Sequence, residues 1–352
     1  MHILYVIEQM SRIGGMERII AEKINRLAAM SDIKVTLLLV WKDRQRPVFE
    51  IDSRVGIEHI DAQMMKGGLT YPIVVWRYNR LVRQLKPDVT VLSWVTGAML
   101  ATFGKHVGKT IFELHHSAAT MKHAWLLRSL QRRTDVVVTL TPEDAQYFTQ
   151  AQRVEVIPNF TTIDSNRLPD YDTKHCVALG RMVPAKDYPR MVRLWKEVVK
   201  EHPDWVLDIY GDGPEREHIQ QCIEEAQLGD KICLHGNTKE VAKAYGEASI
   251  YLMTSRTEGF PMLLLDAMTM GLPVVAFDCP HGPRNIIRNG VNGLLIDMKD
   301  DKAYVSALTL LMDNAERRRL MGEKAHETAM RFSCENIMQR WMDLFNSLVN
   351  DK

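Results

Sequence analysis

Two carboxylates eight positions apart stand in the run Thr254-Ser255-Arg256-Thr257-Glu258-Gly259-Phe260-Pro261-Met262-Leu263-Leu264-Leu265-Asp266. Pro261 suits the first position of a helix, and Gly271 with Pro273 suits its end. The loop therefore delivers Glu258 and Gly259 to a helix amino terminus, where unpaired N–H groups and the helix dipole favour an anion. Gly259 lets a ligand come close to the backbone. One carboxylate in such a segment can hold sugar hydroxyls, and the other, about one and a half turns into the helix, a ribose. A solvated acid and a buried cap are the plainer roles for the same two residues.

A second group of residues could act on the same anion. Leu179-Gly180-Arg181-Met182-Val183-Pro184-Ala185-Lys186 places two cations five residues apart at the end of a strand pattern, a spacing able to clamp a diphosphate. Ile13-Gly14-Gly15-Met16-Glu17-Arg18 joins another strand to a helix, and paired glycines there expose amides. His115-His116-Ser117 follows a strand directly. Tyr210-Gly211-Asp212-Gly213-Pro214 reads as a tight turn after a strand, and His235-Gly236-Asn237-Thr238 ends another, with Asn237 and Thr238 placed for backbone contacts to a base.

Several motifs fail on inspection. Gly104-Lys105-His106-Val107-Gly108-Lys109-Thr110 has three residues between its glycines where a phosphate-binding Walker loop has four, and it precedes a strand rather than a helix. Asp170-Tyr171-Asp172 falls in a linker and reads as a solvated loop, so no metal site is expected. Gly-x-Gly-x-x-Gly, Gly-x-Ser-x-Gly and His-Glu-x-x-His do not occur, which argues against a nicotinamide-dependent dehydrogenase.

These residues need strand ends to hold them. Apolar β-branched runs at 2–7, 34–40, 89–93, 110–114, 136–140 and 154–157, then at 176–180, 206–210, 232–235, 248–253, 273–277 and 293–296, alternate with helix-length segments. Continuous rather than alternating apolar runs suit parallel strands buried on both faces. The order predicts an α/β architecture of two doubly wound, Rossmann-like domains, with ligands at the carboxyl ends of strands and a cleft between the domains. The expected boundaries are 1–165, 166–332 and a closing helix within 333–352, carrying Ile337, Trp341, Leu344 and Leu348, that packs at the junction.

Composition narrows the classes. The 352 residues hold 45 basic and 44 acidic side chains, a net charge of +1, with 46% hydrophobic and 25% charged residues. This balance fits a globular chain and argues against a general nucleic-acid binder. Residues 1–170 hold 22 basic against 17 acidic side chains and the remainder 23 against 27, so the first half leans positive. Five scattered cysteines without a Cys-x-x-Cys pair suit a reducing, cytoplasmic compartment. The opening Met1–Ile7 reads as a strand rather than a leader, and no apolar run approaches the roughly 20 residues of a membrane span. Two stretches mix cations with aromatics at helical spacing. Tyr71–Lys86 carries Trp76, Arg77, Tyr78, Arg80 and Arg83, and Met121–Arg133 carries Lys122, Trp125, Arg128, Arg132 and Arg133. Either could dock on an anionic membrane or be an ordinary solvated face.

Taken together, the Gly14-Gly15 loop, the histidine after a mid-domain strand, Gly180-Arg181 with Lys186, Tyr210–Pro214 and the Glu258 segment resemble the retaining glycosyltransferase family four over nearly the whole chain. The family's signature has two glutamates separated by seven residues; here the second is Asp266, one methylene shorter. The resemblance implies the GT-B fold, with an acceptor-binding first domain and a donor-binding second. It also implies transfer of a hexose or N-acetylhexosamine from a nucleotide diphosphate sugar to a glycan or lipid-linked acceptor, forming an α-glycosidic bond. Arg181 and Lys186 would bind the diphosphate, and Glu258 the donor sugar, with Gly259, Phe260, Pro261 and Met262 holding sugar and phosphate. Asp266 would hold the ribose. His115, or His116 in the other register, would lie near the reacting sugar, and Gly14 and Gly15 would approach acceptor and phosphate. Ala276–Ile287 looks like members that use UDP-sugars. No cofactor or metal is implied, and the site would lie in the cytoplasm, with peripheral contact to the inner face of the cell membrane. The alternatives are a sugar-nucleotide epimerase of the same fold and a non-catalytic nucleotide-sugar binder.

Overall fold

The computed structural model describes residues 1–11, 14–42, 47–63, 70–120, 124–163 and 168–350. They form two compact units, Met1–Asn159 with Glu335–Lys352, and Phe160–Cys334. In the first, β1 (His2–Ile7), β2 (Lys34–Trp41), β3 (Gly56–Ala62), β4 (Val89–Ser93), β5 (Lys109–Glu113), β6 (Val136–Thr139) and β7 (Val154–Val156) make one parallel sheet in the order β3-β2-β1-β4-β5-β6-β7. In the second, β8 (His175–Leu179), β9 (Val206–Tyr210), β10 (Ile232–Gly236), β11 (Ile250–Met253), β12 (Val274–Phe277) and β13 (Leu294–Ile296) are parallel in the order β10-β9-β8-β11-β12-β13. Both sheets are doubly wound, as the alternation of strands and helices predicts.

The expected runs all became strands; β3 is the addition. Only Ile60 and Ala62 of Gly56–Ala62 are buried, because β3 is an edge strand, so it lacks the continuous apolar run that betrays its neighbours. The strand order reverses between β1 and β4 in one sheet and between β8 and β11 in the other. At such a switch point the two connections leave in opposite directions and open a crevice at the carboxyl ends of the strands.

The closing helix Cys334–Asn350 buries Ile337, Trp341, Leu344, Phe345 and Leu348 and packs on the first unit. There Arg153 donates to Ser347 Oγ at 3.0 Å, and Arg340 donates to the Val156 carbonyl. The divisions fall at 159/160 and 334/335; position 165/166, where the sequence places the first boundary, lies outside the described residues, as do Ile13 of the glycine loop and Met121 and Lys122 of the second basic stretch.

The helix opened by the Glu258 loop runs Met262–Thr269 with Pro261 as its amino-terminal cap, one position earlier than the sequence suggests. Its end is a Schellman motif. The Gly271 N–H donates to the Met268 carbonyl at 3.0 Å, and the Leu272 N–H to the Ala267 carbonyl at 3.0 Å, with Gly271 at φ +78°. A Cβ on Gly271 would also lie 2.5 Å from Leu168 Cδ2. Gly271→Ala is therefore expected to destabilise the second unit by about 1–2 kcal/mol, read as a lower urea midpoint; an unchanged midpoint would mean that the cap is relaxed elsewhere.

Candidate functional site

In the second unit the residues at the switch point come together. Leu179 pairs with Tyr210, so Gly180 and Gly211 leave β8 and β9 side by side. They lie at φ +146° and +141°, and a Cβ on Gly211 would sit 2.0 Å from the Gly180 carbonyl oxygen. Only glycine fits that approach. Gly213, at φ +155°, is packed in the same way against the Met182 carbonyl, 2.4 Å from where its Cβ would be.

These turns throw Arg181 outward. It is exposed and makes no ion pair among the described residues. The chain then makes a 3-10 turn, Pro184–Lys186, and Lys186 Nζ donates to Glu258 Oε1 at 2.7 Å. The lysine and glutamate side chains are 23% and 11% exposed, so the pair is shielded yet still open to a ligand.

A strap that the sequence did not reveal sets this contact. Asp187, at φ +50°, accepts from Arg256 through both oxygens, Nε at 2.8 Å and Nη2 at 3.0 Å. The Arg256 N–H donates to the Ala185 carbonyl at 2.8 Å, and Thr254 Oγ1 donates to the Lys186 carbonyl at 3.0 Å. The loops after β8 and β11 are thus laced together on either side of Lys186 and Glu258. An Asp directly after a lysine and an Arg two before a glutamate carry no periodicity, and the pairing exists only because β8 and β11 are neighbours.

Gly259 and Met262 are partly exposed at the helix amino terminus, while Phe260 and Pro261 are buried. Phe260 packs against Phe332 with ring centroids 5.8 Å apart. Gly282, at φ +111°, lets the chain after β12 close on this loop; a Cβ there would meet Pro261 Cδ at 2.6 Å. Burial and then the charge of Glu258 push the neighbouring Cys279 thiol up to about 12, which makes it a poor nucleophile.

Asp266 departs from its expected role. Its side chain is fully buried and accepts from Thr161 Oγ1 at 3.0 Å. A carboxylate one methylene short of glutamate stays beneath the helix and is sealed from solvent. Its burial fits a structural acid held by Thr161 rather than one open to a ribose.

Asn237 is exposed, and Thr238 Oγ1 accepts from the Glu240 N–H at 3.0 Å in a turn just past β10. Next to them His235 stacks on Tyr210 at 4.4 Å. Asp208 bridges two imidazoles, His175 Nδ1 at 2.7 Å and His235 Nε2 at 2.6 Å. Among the described residues, the group whose donors could hold a metal ion is Asp208, Cys233 and His235, with ligand atoms within 4.8 Å of one another. Both Asp208 oxygens are already engaged by the histidines.

In the first unit the switch-point residues follow β1 and β5. Gly14 caps the helix Gly15–Ala28 in an extended conformation, φ −146°, rather than in a left-handed turn. A Cβ on Gly14 would lie 2.2 Å from Glu17 Oε2, so Glu17 folds back over it, whereas Gly15 faces open space. Across the switch point Thr96 Oγ1 donates to Glu8 Oε1 at 2.7 Å.

The histidine doublet separates cleanly. His116 is exposed and meets Trp94 edge-on at 4.2 Å, with Trp94 at φ +67°. His115 is buried, with Nε2 3.6 Å from Glu113 Oε1. Burial depresses its pKa to about 4; Glu113 opposes the shift, and Lys23 and His116 reinforce it. It is therefore a neutral imidazole near pH 7. The Gly104–Lys109 run enters β5 through Gly108 at φ +69°, as a turn into a strand, and Asp170-Tyr171-Asp172 is a loop in which the Asp172 N–H donates to Asp170.

Comparison with known proteins agrees with this layout. Residues 13–165 match the family model described as Glycosyltransferase Family 4, and residues 160–328 the one described as Glycosyl transferases group 1. An exopolysaccharide phosphotransferase of Streptomyces coelicolor is 27% identical over 99% of this chain, which spans 41% of that longer protein. The amylovoran biosynthesis glycosyltransferase AmsD of Erwinia amylovora is 26% identical over 98% of this chain and 99% of its own. Among solved structures, S. aureus TarM in complex with fondaparinux, alpha-GlcNAc-glycerol and UDP shares the fold with a TM-score of 0.80, at 15% identity over 98% of this chain and 99% of that one. With consecutive domain models running from residue 13 to residue 328 and relatives of the same two-domain build, the chain belongs to the GT-B glycosyltransferases.

Proposed function

We propose that the chain is a retaining, metal-independent glycosyltransferase that moves a hexose or N-acetylhexosamine from a UDP-sugar to a glycan or lipid-linked acceptor, forming an α-glycosidic bond. The observation that carries this reading is the Lys186–Glu258 contact at the β8/β11 switch point, with exposed Arg181 on the same turn. Two names support it: the relative AmsD is an amylovoran biosynthesis glycosyltransferase, and the structural neighbour TarM is described in complex with alpha-GlcNAc-glycerol and UDP.

In this mechanism the bond between the anomeric carbon and the diphosphate breaks, and the electron pair leaves with the diphosphate. Arg181 and Lys186 neutralise the growing negative charge, assisted by the helix amino terminus at Met262. Two cations at one strand end can supply the charge stabilisation that a divalent ion supplies in other transferases. Glu258 accepts hydrogen bonds from the donor sugar's hydroxyls. His115, being neutral, contacts the sugar without adding positive charge beside an oxocarbenium-like centre. The acceptor hydroxyl attacks from the face the diphosphate leaves and passes its proton to the departing phosphate oxygen, so configuration is retained. Asp266 has no part in holding the ribose in this scheme.

The acceptor side has a matching surface. Trp76 (62% exposed), Phe103 (52%) and Trp125 (50%) lie on three helices, Tyr71–Leu85, Trp94–Phe103 and Ala124–Arg133, that pack in sequence on the first unit. A recess of about 530 Å³ on the first of them is lined by Trp76, Asn79, Arg80, Arg83 and Gln84. Arg83, Lys86, Arg128 and Arg132 are exposed beside these aromatics. Tyr78 is a core residue, and Arg77, though exposed, turns one guanidinium N–H onto the Ile60 carbonyl. Aromatics flanked by cations suit an anionic membrane on which a lipid-linked acceptor would lie. No helix among the described residues is long and apolar enough to cross a membrane.

Four outcomes test the reading. A metal-free saturation-transfer NMR screen of UDP, GDP, ADP and their common sugars should give signals for UDP compounds that are lost in Arg181→Ala. Arg181→Ala/Lys186→Ala should lower turnover by about 10²–10³-fold, with wild-type turnover indifferent to EDTA; a double variant with normal turnover sinks the donor-site assignment. Asp187→Ala, which cuts the strap but leaves Lys186 in place, should lower turnover by about tenfold, as expected when a positioning contact is loosened. An intact rate would make the strap purely structural. Finally, the protein should co-sediment with phosphatidylglycerol-containing vesicles at low salt, less so at 0.5 M salt and less in Trp76→Ala/Arg80→Ala; binding insensitive to both would remove the membrane surface.

A further inference from the structure

Three charged or titratable groups lie buried in the first unit at the end of β5. Lys23, on the helix Gly15–Ala28, donates to Glu113 Oε1, and both side chains are 1% exposed. His115, two residues on and on the same side of the strand, has a 2% exposed side chain. Trp341 of the closing helix roofs the lysine, with Nζ 3.9 Å from its ring centroid, and Tyr5 of β1 lies 5.9 Å away on another side. Four elements distant in sequence thus enclose one ion pair.

A buried ion pair is weak evidence for stability, because desolvation of the two charges offsets their attraction. Its presence here asks for another reason, and the neighbouring atoms supply one. Glu113 Oε2, both ring nitrogens of His115 and the Tyr5 hydroxyl have no hydrogen-bond partner among the described residues. Native proteins rarely leave so many buried polar atoms unpaired in one place. A ring whose two nitrogens are spare, at the carboxyl end of a strand beside the switch point, has its bonding capacity in reserve for a ligand.

The charged and titratable groups facing His115 are Glu113 and His116 from its own strand exit and Lys23 from the helix, with Tyr5 of β1 against Glu113. We propose that Lys23 and Glu113 are positioning residues: the carboxylate lies against the His115 ring, 3.6 Å from Nε2, and the lysine cancels the carboxylate's charge so that the ring stays neutral when the donor sugar arrives. This rests on the reading of His115 as a sugar contact. The electrostatics agree. Burial alone would push the Glu113 carboxyl up, but the Lys23 ammonium beside it outweighs this and keeps it ionised, while burial draws Lys23 down. Without Lys23 the buried carboxylate would take its counter-charge from His115 instead, and the imidazole would gain a proton.

The test follows the charge state of His115 directly. In ¹⁵N NMR of the full chain, the His115 ring, identified by its loss in His115→Ala, should stay neutral down to about pH 5 in the wild type. In Lys23→Met its protonation midpoint should rise by at least about one pH unit, and the acid limb of kcat with UDP-N-acetylglucosamine or UDP-glucose should rise with it while the donor KM holds. In Lys23→Met/Glu113→Gln the midpoint should return, and kcat should remain about tenfold low at every pH because the ring has lost the ion pair that packs against it. A midpoint in Lys23→Met equal to that of the wild type overturns the proposal. Should Lys23→Met fail to fold, the double variant decides, and wild-type kcat there overturns it equally. Normal turnover in His115→Ala would instead refute the sugar-contact reading, a result separable from the NMR midpoints.

Discussion

The reversal of strand order between β8 and β11 governs the second unit. Because these strands are neighbours, the loops leaving them meet although Lys186 and Glu258 lie 72 residues apart. The connections then diverge, one towards β9 and the other towards β12. What remains between them is a crevice whose walls are strand exits and whose floor is the sheet edge. Glycine is obligatory where those exits touch, since a side chain on Gly211 would occupy the Gly180 carbonyl. The cations, the carboxylate and the helix amino terminus are positioned as a consequence of that contact. The strap of Asp187, Arg256 and Thr254 then removes the slack that two loops would otherwise have.

Much of this was legible in the sequence, for a physical reason. Parallel strands covered on both faces are apolar throughout, so central strands such as β1, β4, β6 and β11 announced themselves, while β7, β9 and β10, only partly buried, kept enough apolar residues to read as strands. Gly271 and Pro273 marked a helix stop because a left-handed cap requires a glycine-like residue. Signals failed where burial or pairing is tertiary. β3 is an edge strand with one mostly exposed face, and its pattern resembles a loop. Asp266 was legible as a carboxylate but not as one sealed under Thr161. The choice between His115 and His116 turned on strand phase, which a doublet leaves open until Glu113 is seen beneath one of them.

The two units treat charge differently. In the second, the Lys186–Glu258 pair is partly open, so an anion could compete with Glu258 for Lys186 without a large desolvation step. In the first, the Lys23–Glu113 pair is closed on every side, so no ligand displaces it. The open pair suits binding and release of an anion at each turnover. The closed pair suits a setting that must not change, such as the charge of the neighbouring His115 ring.

The roof over that closed pair comes from the far end of the chain. Trp341 lies on a helix that follows the whole second unit, yet its ring covers Lys23 near the start of the first. A lysine ammonium left at a wet surface would interact weakly with Glu113, because water screens the pair; under an aromatic face it is desolvated and gains the attraction of the ring. The first unit thus has its sheet from residues 2–156 but its full electrostatics only when residues 334–350 have docked. The chain's end is in that sense part of the His115 environment, and this gives the two crossings between units a consequence beyond connectivity: the surroundings of Lys23 and Glu113 are complete only after the second unit, which lies between them in sequence, has been made.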